Sequence, residues 1–339
     1  MVGFKRSSRG FIFICCVFIL IVFIWLSLSI GSVSITQKRL LYLIFSHDTY
    51  STDGFILWNI RIPRTIAAVL GGGFLGVSGL LLQIFFRNPL AGPFILGISS
   101  GATLVVALVM LTSIALGFTQ IAPYLTTLSA LFGAYITMFI VLIVATRVKN
   151  PITLLIIGLM IGYLCQSVTS ILMAFAEQER IKGFVLWQMG SFSGFKWSEI
   201  RILTFVGLII LICTYLISKP LNGLLLGDID AKSLGVRVKM IRFLIVLFSC
   251  ALSGLVTAGA GPVAFIGIAI PHMGRLIFST SDNRVLVPGV FLLAGIVTGV
   301  SDLIARSIFS PVEVPISAVT AIFGAPIIIA LVSKRKMEI

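Results

Sequence analysis

Charge is scarce in this chain: 11% of its 339 residues are Asp, Glu, Lys or Arg, against roughly 25% in a soluble domain. That excludes a water-soluble globule, because too few charges remain to cover a folded surface. Acids are the scarcer sign, with 11 Asp and Glu against 25 Lys and Arg. Asp48, Asp53, Glu177, Glu179, Glu199, Asp228, Asp230, Asp282, Asp302, Glu313 and Glu338 all fall in loops or near the ends of apolar runs. Proton- and sodium-coupled carriers usually keep an acid within the membrane, so this placement argues against an ion-coupled secondary transporter. No Gly-Lys pair occurs, which removes the phosphate loop of a nucleotide-binding subunit. The two histidines, His47 and His272, are too far apart in the chain for a metal pair. The five cysteines (Cys15, Cys16, Cys165, Cys213, Cys250) lie inside apolar runs without metal-ligand spacing and read as small hydrophobes. No Ser, Cys or His constellation suggests catalysis, so an enzyme is not expected.

What is abundant is apolar sequence: 58% of residues are hydrophobic and mean hydropathy is +1.16. The runs are continuous rather than alternating, which predicts spanning helices and not a barrel. An all-α polytopic membrane protein follows, a single domain over 1–339, with about ten crossings of about twenty residues each. The expected spans are 11–31, 57–84, 92–112, 119–146, 152–176, 199–217, 240–258, a short one at 263–274, 285–307 and 314–333. Lys5, Arg6 and Arg9 precede the first run, which is longer than a signal-peptide core and reads as a retained helix. The net charge of +14 does not imply nucleic acid. The bases cluster at the ends of apolar runs, where they set orientation and meet anionic lipid. With the N-terminus in the cytoplasm, about sixteen bases lie inside and about nine outside, as the positive-inside rule prefers. The same count puts both termini and the segment 218–239 inside, and 32–56 and 177–198 outside.

The segment 218–239 is a polar island between two crossings. Gly227 suits the end of one local element, Asp228 the cap of the next, and Gly235 a helix stop. It reads either as an ordinary loop helix or as a docking element gripped by a soluble partner. Arg61, Arg64 and Arg306 sit at helix ends on the side where the inside rule would not place bases. Either they snorkel to lipid phosphate, or they form a basic outer rim for acidic residues of an external partner. Helix 2 is dense in glycine (Gly71, Gly72, Gly73, Gly76, Gly79), which lets helices approach closely.

Ordered motifs along nearly the whole chain after the first helix resemble the FecCD-type permeases of type II ABC importers. These motifs are Arg61-Ile62-Pro63-Arg64-Thr65; Ser78-Gly79 with Gln83; Arg87-Asn88-Pro89-Leu90-Ala91-Gly92-Pro93 and Leu96-Gly97; Trp187, Gly190-Ser191 and Trp197; Gly227, Ala231, Ser233, Leu234 and Gly235; Phe265-Ile266-Gly267, Pro271-His272 and Arg275; and Asp302 with Arg306, Glu313-Val314-Pro315 and Gly324-Ala325-Pro326. Ser317 departs from the pattern, standing where such permeases usually carry glycine. The resemblance implies ten helices per subunit, with two permease subunits, identical or paralogous, enclosing a path across a bacterial cytoplasmic membrane. It implies two ATPase subunits that bind Mg-ATP, no cofactor on this chain, and an external binding protein or lipoprotein that delivers the cargo. An iron-siderophore complex is the expected cargo, with haem or vitamin B12 as alternatives. It further implies that Gly227, Asp228, Asp230, Ala231, Ser233, Leu234 and Gly235 form the coupling loop. Arg61, Arg64 and Arg306 are implied to dock the binding protein. Asn88, Pro89, Gly97, Pro271, His272, Arg275, Asp302, Glu313, Pro315, Gly324 and Pro326 are implied to be structural.

Overall fold

The computed structural model describes residues 6–31, 33, 35–94, 97–112, 123–145, 151–310 and 312–335. Among these the chain is helical, without strands. Helix α1 (Arg6–Ser29) is followed by two short surface helices, α2 (Gln37–Ser46) and α3 (Thr52–Ile56). A π-helical turn at Leu57–Arg61 leads into α4 (Ile62–Phe86). Next come α5 (Ile98–Thr112), α6 (Pro123–Ala145), α7 (Pro151–Phe175), the surface helix α8 (Gln178–Met189) and α9 (Trp197–Leu216). The polar island forms α10 (Ser218–Leu226) and α11 (Asp228–Ser233). Last are α12 (Val238–Ala260), α13 (Ile266–Ile277), α14 (Asn283–Ser307) and α15 (Ile316–Arg335). Among the described residues six helices are long and apolar enough to cross a membrane, and four shorter apolar helices join them. These match the ten expected spans in order.

Two boundaries differ from expectation. The third apolar helix starts at Ile98 rather than at 92, because Gly92-Pro93 and a positive φ of 73° at Gly97 hold the preceding turn open. The short eighth begins at Ile266, after Phe265 takes a φ of 67°. The two polar segments between spans carry short helices of their own, α2 and α3 in 32–56 and α8 in 177–198.

Helix α4 is the axis of the bundle. In its most apolar window 83% of residues are buried, against 11% in that of α7. It packs on α14, α12, α13 and α9. Pro63 suits its first turn. Its far end closes at Arg87, whose φ of 47° lets the Asn88 N–H reach back to the Gln83 carbonyl. Midway, the Ser78 and Ser249 hydroxyls meet at 2.8 Å and bind α4 to α12. The glycines of α4 face its neighbours. A methyl group at Gly79 would collide with the backbone carbonyl of Gly267 on α13. Backbone cannot yield as a side chain does, so Gly79→Ala is expected to cost about 1–3 kcal/mol or more. A fall in the thermal midpoint of the purified protein, set beside an alanine at exposed Gly183, checks this.

Helices α5, α6 and α7 form a second layer, joined to the axis through α12. Gly97 sits against Gly158 and Gly162 of α7, where a side chain would come within 2.9 Å of the Gly158 carbonyl oxygen. Ser317, the departure from the family pattern, donates its hydroxyl to the Pro262 carbonyl at 2.7 Å. The substitution is thereby satisfied at the start of α15.

Candidate functional site

The polar island is a helix–glycine–helix unit. Gly227 breaks it with a φ of 127°, and Gly235 ends α11 with a φ of 80° while its N–H bonds to the Lys232 carbonyl. Both angles lie in backbone space that favours glycine. Ala231 is fully buried and pins α11 to the bundle. Ile229 and Leu234, by contrast, are 82% and 65% exposed. Asp230 and Ser233 are also exposed, with the Ser233 hydroxyl bonded to the Ile229 carbonyl. Asp228 corrects the sequence reading. It is not the cap, a position held by Gly227. Its carboxylate instead receives Arg87 at 2.5 Å and Arg242 at 2.8 Å. Two arginines on one carboxylate outweigh a cap bond, and the side chain turns to them.

The island is therefore clipped to three long helices. Asp228 holds the end of α4 through Arg87 and the first turns of α12 through Arg242. Asn222 on α10 donates to Asp282 at 2.6 Å and accepts from the Asn283 backbone N–H at 2.8 Å, at the start of α14. Burial works to raise the Asp282 pKa, but bonds from the Arg284 N–H and Asn222 outweigh it, and the carboxyl is held below its usual range. Between α10 and the start of α12 lies a groove of about 830 Å³, bordered by Lys219, Leu226, Leu234, Arg237 and Arg284. Its rim is basic and its walls are partly apolar, as a protein docking groove requires.

The motif residues beside the island form one polar seam. Asn88 accepts from the Leu90 N–H at 2.9 Å and shapes the turn that also holds Pro89. Gln83 donates to the Ile268 carbonyl at 3.0 Å and accepts from Arg275 at 2.7 Å, tying α4 to α13. Pro271 lies inside α13. His272 and Arg275 face a cavity of about 450 Å³ shared with Arg87 and Asn88. Gly324 packs against Phe265, Pro315 precedes α15 and accepts from its Ala318 N–H, and Pro326 lies within that helix.

Helix α4 is 25 residues long, about 37 Å at 1.5 Å per residue. Arg64 and its partners therefore lie at the opposite end of the bundle from Asp228. Here the structure departs from the exposed basic rim that the sequence suggests. Arg61, Arg64 and Arg306 are 3%, 5% and 9% exposed. Arg64 makes a double contact with Asp302 at 3.0 Å and reaches Glu313 at 2.5 Å. Arg306 donates to the Ser27 carbonyl at 2.6 Å and lies 3.9 Å from Asp302. Arg61 donates to the carbonyls of Leu28, Ser29 and Val33. All three guanidinium groups are engaged within the chain, joining α1, α4, α14 and the loop before α15. The cause is desolvation: arginines this far inside the bundle need internal acceptors.

The sequence reading passed over Arg242, Asn222 and the Gln83–Arg275 bond. Arg242 stands one turn inside its helix and resembles any flanking base, while Asn222 has no charge to draw notice. Only the fold brings them to partners.

An all-α bundle of apolar spans around a central helix, with a clipped helical unit at one end, defines a polytopic membrane protein. Comparison with known proteins gives the family. The model of the FecCD transport family matches residues 19–334, and the chain belongs to that family. The chain is 36% identical to the vitamin B12 import system permease protein BtuC of Salmonella paratyphi A over 289 residues, 85% of this chain and 86% of that one. It is 35% identical to the permease of the same name from Klebsiella pneumoniae, over 83% of each. A solved structure described as an inward-facing conformation of a putative metal-chelate type ABC transporter aligns with a TM-score of 0.80 at 27% identity, covering 96% of this chain and 99% of that one. PsaBC from Streptococcus pneumoniae shares the fold at a TM-score of 0.59 and 16% identity, over 82% of this chain and 92% of that one.

Proposed function

We propose that the chain is the permease subunit of an ATP-driven importer of metal chelates in a bacterial cytoplasmic membrane, with a ferric siderophore as cargo. It supplies the path, and ATP-Mg is bound and hydrolysed by two partner ATPase subunits. A second permease, identical or paralogous, completes the path, and an external binding protein delivers the chelate. Both termini and the α10–α11 unit face the cytoplasm.

The observation that carries this reading is the clipped unit at 218–239. A pair of short helices, exposed on one side and bound to α4, α12 and α14 on the other, suits the transmission of force. An ATPase seated on Ile229, Leu234 and the adjoining groove would move α11. The Arg87–Asp228–Arg242 pairs and Asn222 would carry that motion to the three long helices, tilting them for alternating access. Between Arg64 and Arg87, α4 carries no charge, so the axis of the bundle is held by apolar packing and not by buried ion pairs along its length.

Vitamin B12 is the second reading, favoured by the names of the relatives above. The test is ATP hydrolysis and uptake in proteoliposomes holding the permease, its ATPase and any paralogous permease, with binding protein added outside. Stimulation by binding protein loaded with ferric siderophore, and not with cobalamin or haem, supports the first reading. Stimulation by cobalamin alone supports the second. Uptake that ignores ATP and follows a proton or sodium gradient would overturn both.

A further inference from the structure

A large apolar groove opens on the side of the bundle, at the end that holds Arg64. Its volume is about 1070 Å³. The walls come from Leu28 on α1, Ile66 and Leu70 on α4, and Leu208 and Ile212 on α9, and the surface they present is almost entirely apolar. The α4 wall runs over residues 62–70, about 12 Å of helix rise. One leaflet of a bilayer core is about 15 Å thick, so the groove is one leaflet deep.

The end of the groove toward the water carries different groups. Trp58 and Trp197 both line it, and the Trp197 indole donates to the Trp58 carbonyl at 2.9 Å. Two tryptophans at that level mark the membrane interface. One turn further in, Arg201 lines the groove with an exposed side chain. Among the described residues no carboxylate pairs with it. Glu199, the nearest acid in sequence, is turned back to the Lys196 N–H at 2.9 Å. An unpaired arginine above a dry, leaflet-deep groove complements a molecule with an anionic head and hydrocarbon tails.

We infer that this groove is a site for one phospholipid of that leaflet, its two acyl chains between α1, α4 and α9 and its phosphate on Arg201. The volume fits. A methylene takes about as much room as a liquid water, about 30 Å³, so the groove accommodates about thirty-five of them, the two chains of one lipid. The inference rests on the membrane fold and is independent of the cargo and of the ATPase. Its consequence is mechanical: the lipid fills the space between α1 and α9 beside the buried arginines, and is part of the packing of α4.

The test counts lipids. The full chain is reconstituted with phosphatidylglycerol and phosphatidylethanolamine, extracted in mild detergent, washed, and weighed intact by native mass spectrometry. One tightly held phospholipid per chain is expected. Arg201→Gln should weaken its retention about fivefold, the effect of one basic residue at a lipid surface. Thr204→Trp, which fills the groove from α9, should abolish it. Lys182→Gln, an exposed base on α8, should leave it unchanged. Phospholipids carrying a photoreactive acyl chain should label α1 and α9 in the native protein, and less in Thr204→Trp. No retained lipid, or retention equal in the native protein, Arg201→Gln and Thr204→Trp, would overturn the inference. So would cross-linking that shows a second copy of the chain seated on the groove.

Discussion

Asp302→Ala is expected to destabilise the protein by about 3–5 kcal/mol, the usual cost of removing one member of a buried ion pair. The Asp302 side chain is 3% exposed and lies between the side chains of Arg64 and Arg306, each 7% exposed. Its loss strands a buried positive charge on Arg306 and leaves Arg64 with Glu313 alone. Glu313 is 42% exposed at its side chain, so water screens its pair, and Glu313→Gln should cost no more than about 1 kcal/mol. Replacing both partners, as in Arg64→Met with Asp302→Leu, removes the charges together and should recover most of the loss. Chemical unfolding in mixed micelles, followed by tryptophan fluorescence, ranks the three. Equal effects of Asp302→Ala and Glu313→Gln would show that the cluster is solvated and that its burial is not what matters.

Gly235→Pro should abolish coupled transport while leaving the bundle folded. Gly235 holds a φ of 80°, and its N–H bonds to the Lys232 carbonyl at 2.9 Å. Proline fixes φ near −65° and has no N–H. The local strain and the lost bond together come to about 2–4 kcal/mol, a fall of about 30- to 1,000-fold in the population of the native loop. Nothing lies within 4 Å of a side chain placed at Gly235, so packing elsewhere is spared. The measured outcome is chelate uptake near background, with normal expression and an unchanged thermal midpoint. Gly235→Ala, which keeps the N–H, should fall between. Wild-type uptake by Gly235→Pro would remove 218–239 from the transport mechanism.

The helices were legible because lipid imposes a simple code: each span must be long, apolar and internally hydrogen-bonded. Gly227 and Gly235 were legible for a local reason, since their positive φ angles act within a few residues. The ion pairs were not. Arg64 and Asp302 stand 238 residues apart, and Arg87 and Asp228 stand 141 apart. No periodicity relates such positions. For the same reason the burial of Arg61 and Arg306 could not be read, because their acceptors are backbone carbonyls of α1 and its following turn, which carry no residue-type signal. The short helices α2, α3 and α8 escaped because segments of mixed polarity have neither the length nor the hydropathy of a membrane span.

The buried pair between α4 and α14 also sets a problem of timing. Arg64 leaves the ribosome 238 residues before Asp302. At about 5–20 residues per second, that interval is about 10–50 s. Through all of it α4 must reside in or beside the membrane with its arginine unneutralised, and with the glycine faces that fit α13 and α14 still bare. The central helix of the finished protein is thus made early and completes its packing late. The chain depends on whatever shelters α4, insertion machinery or lipid phosphate, until its last third arrives.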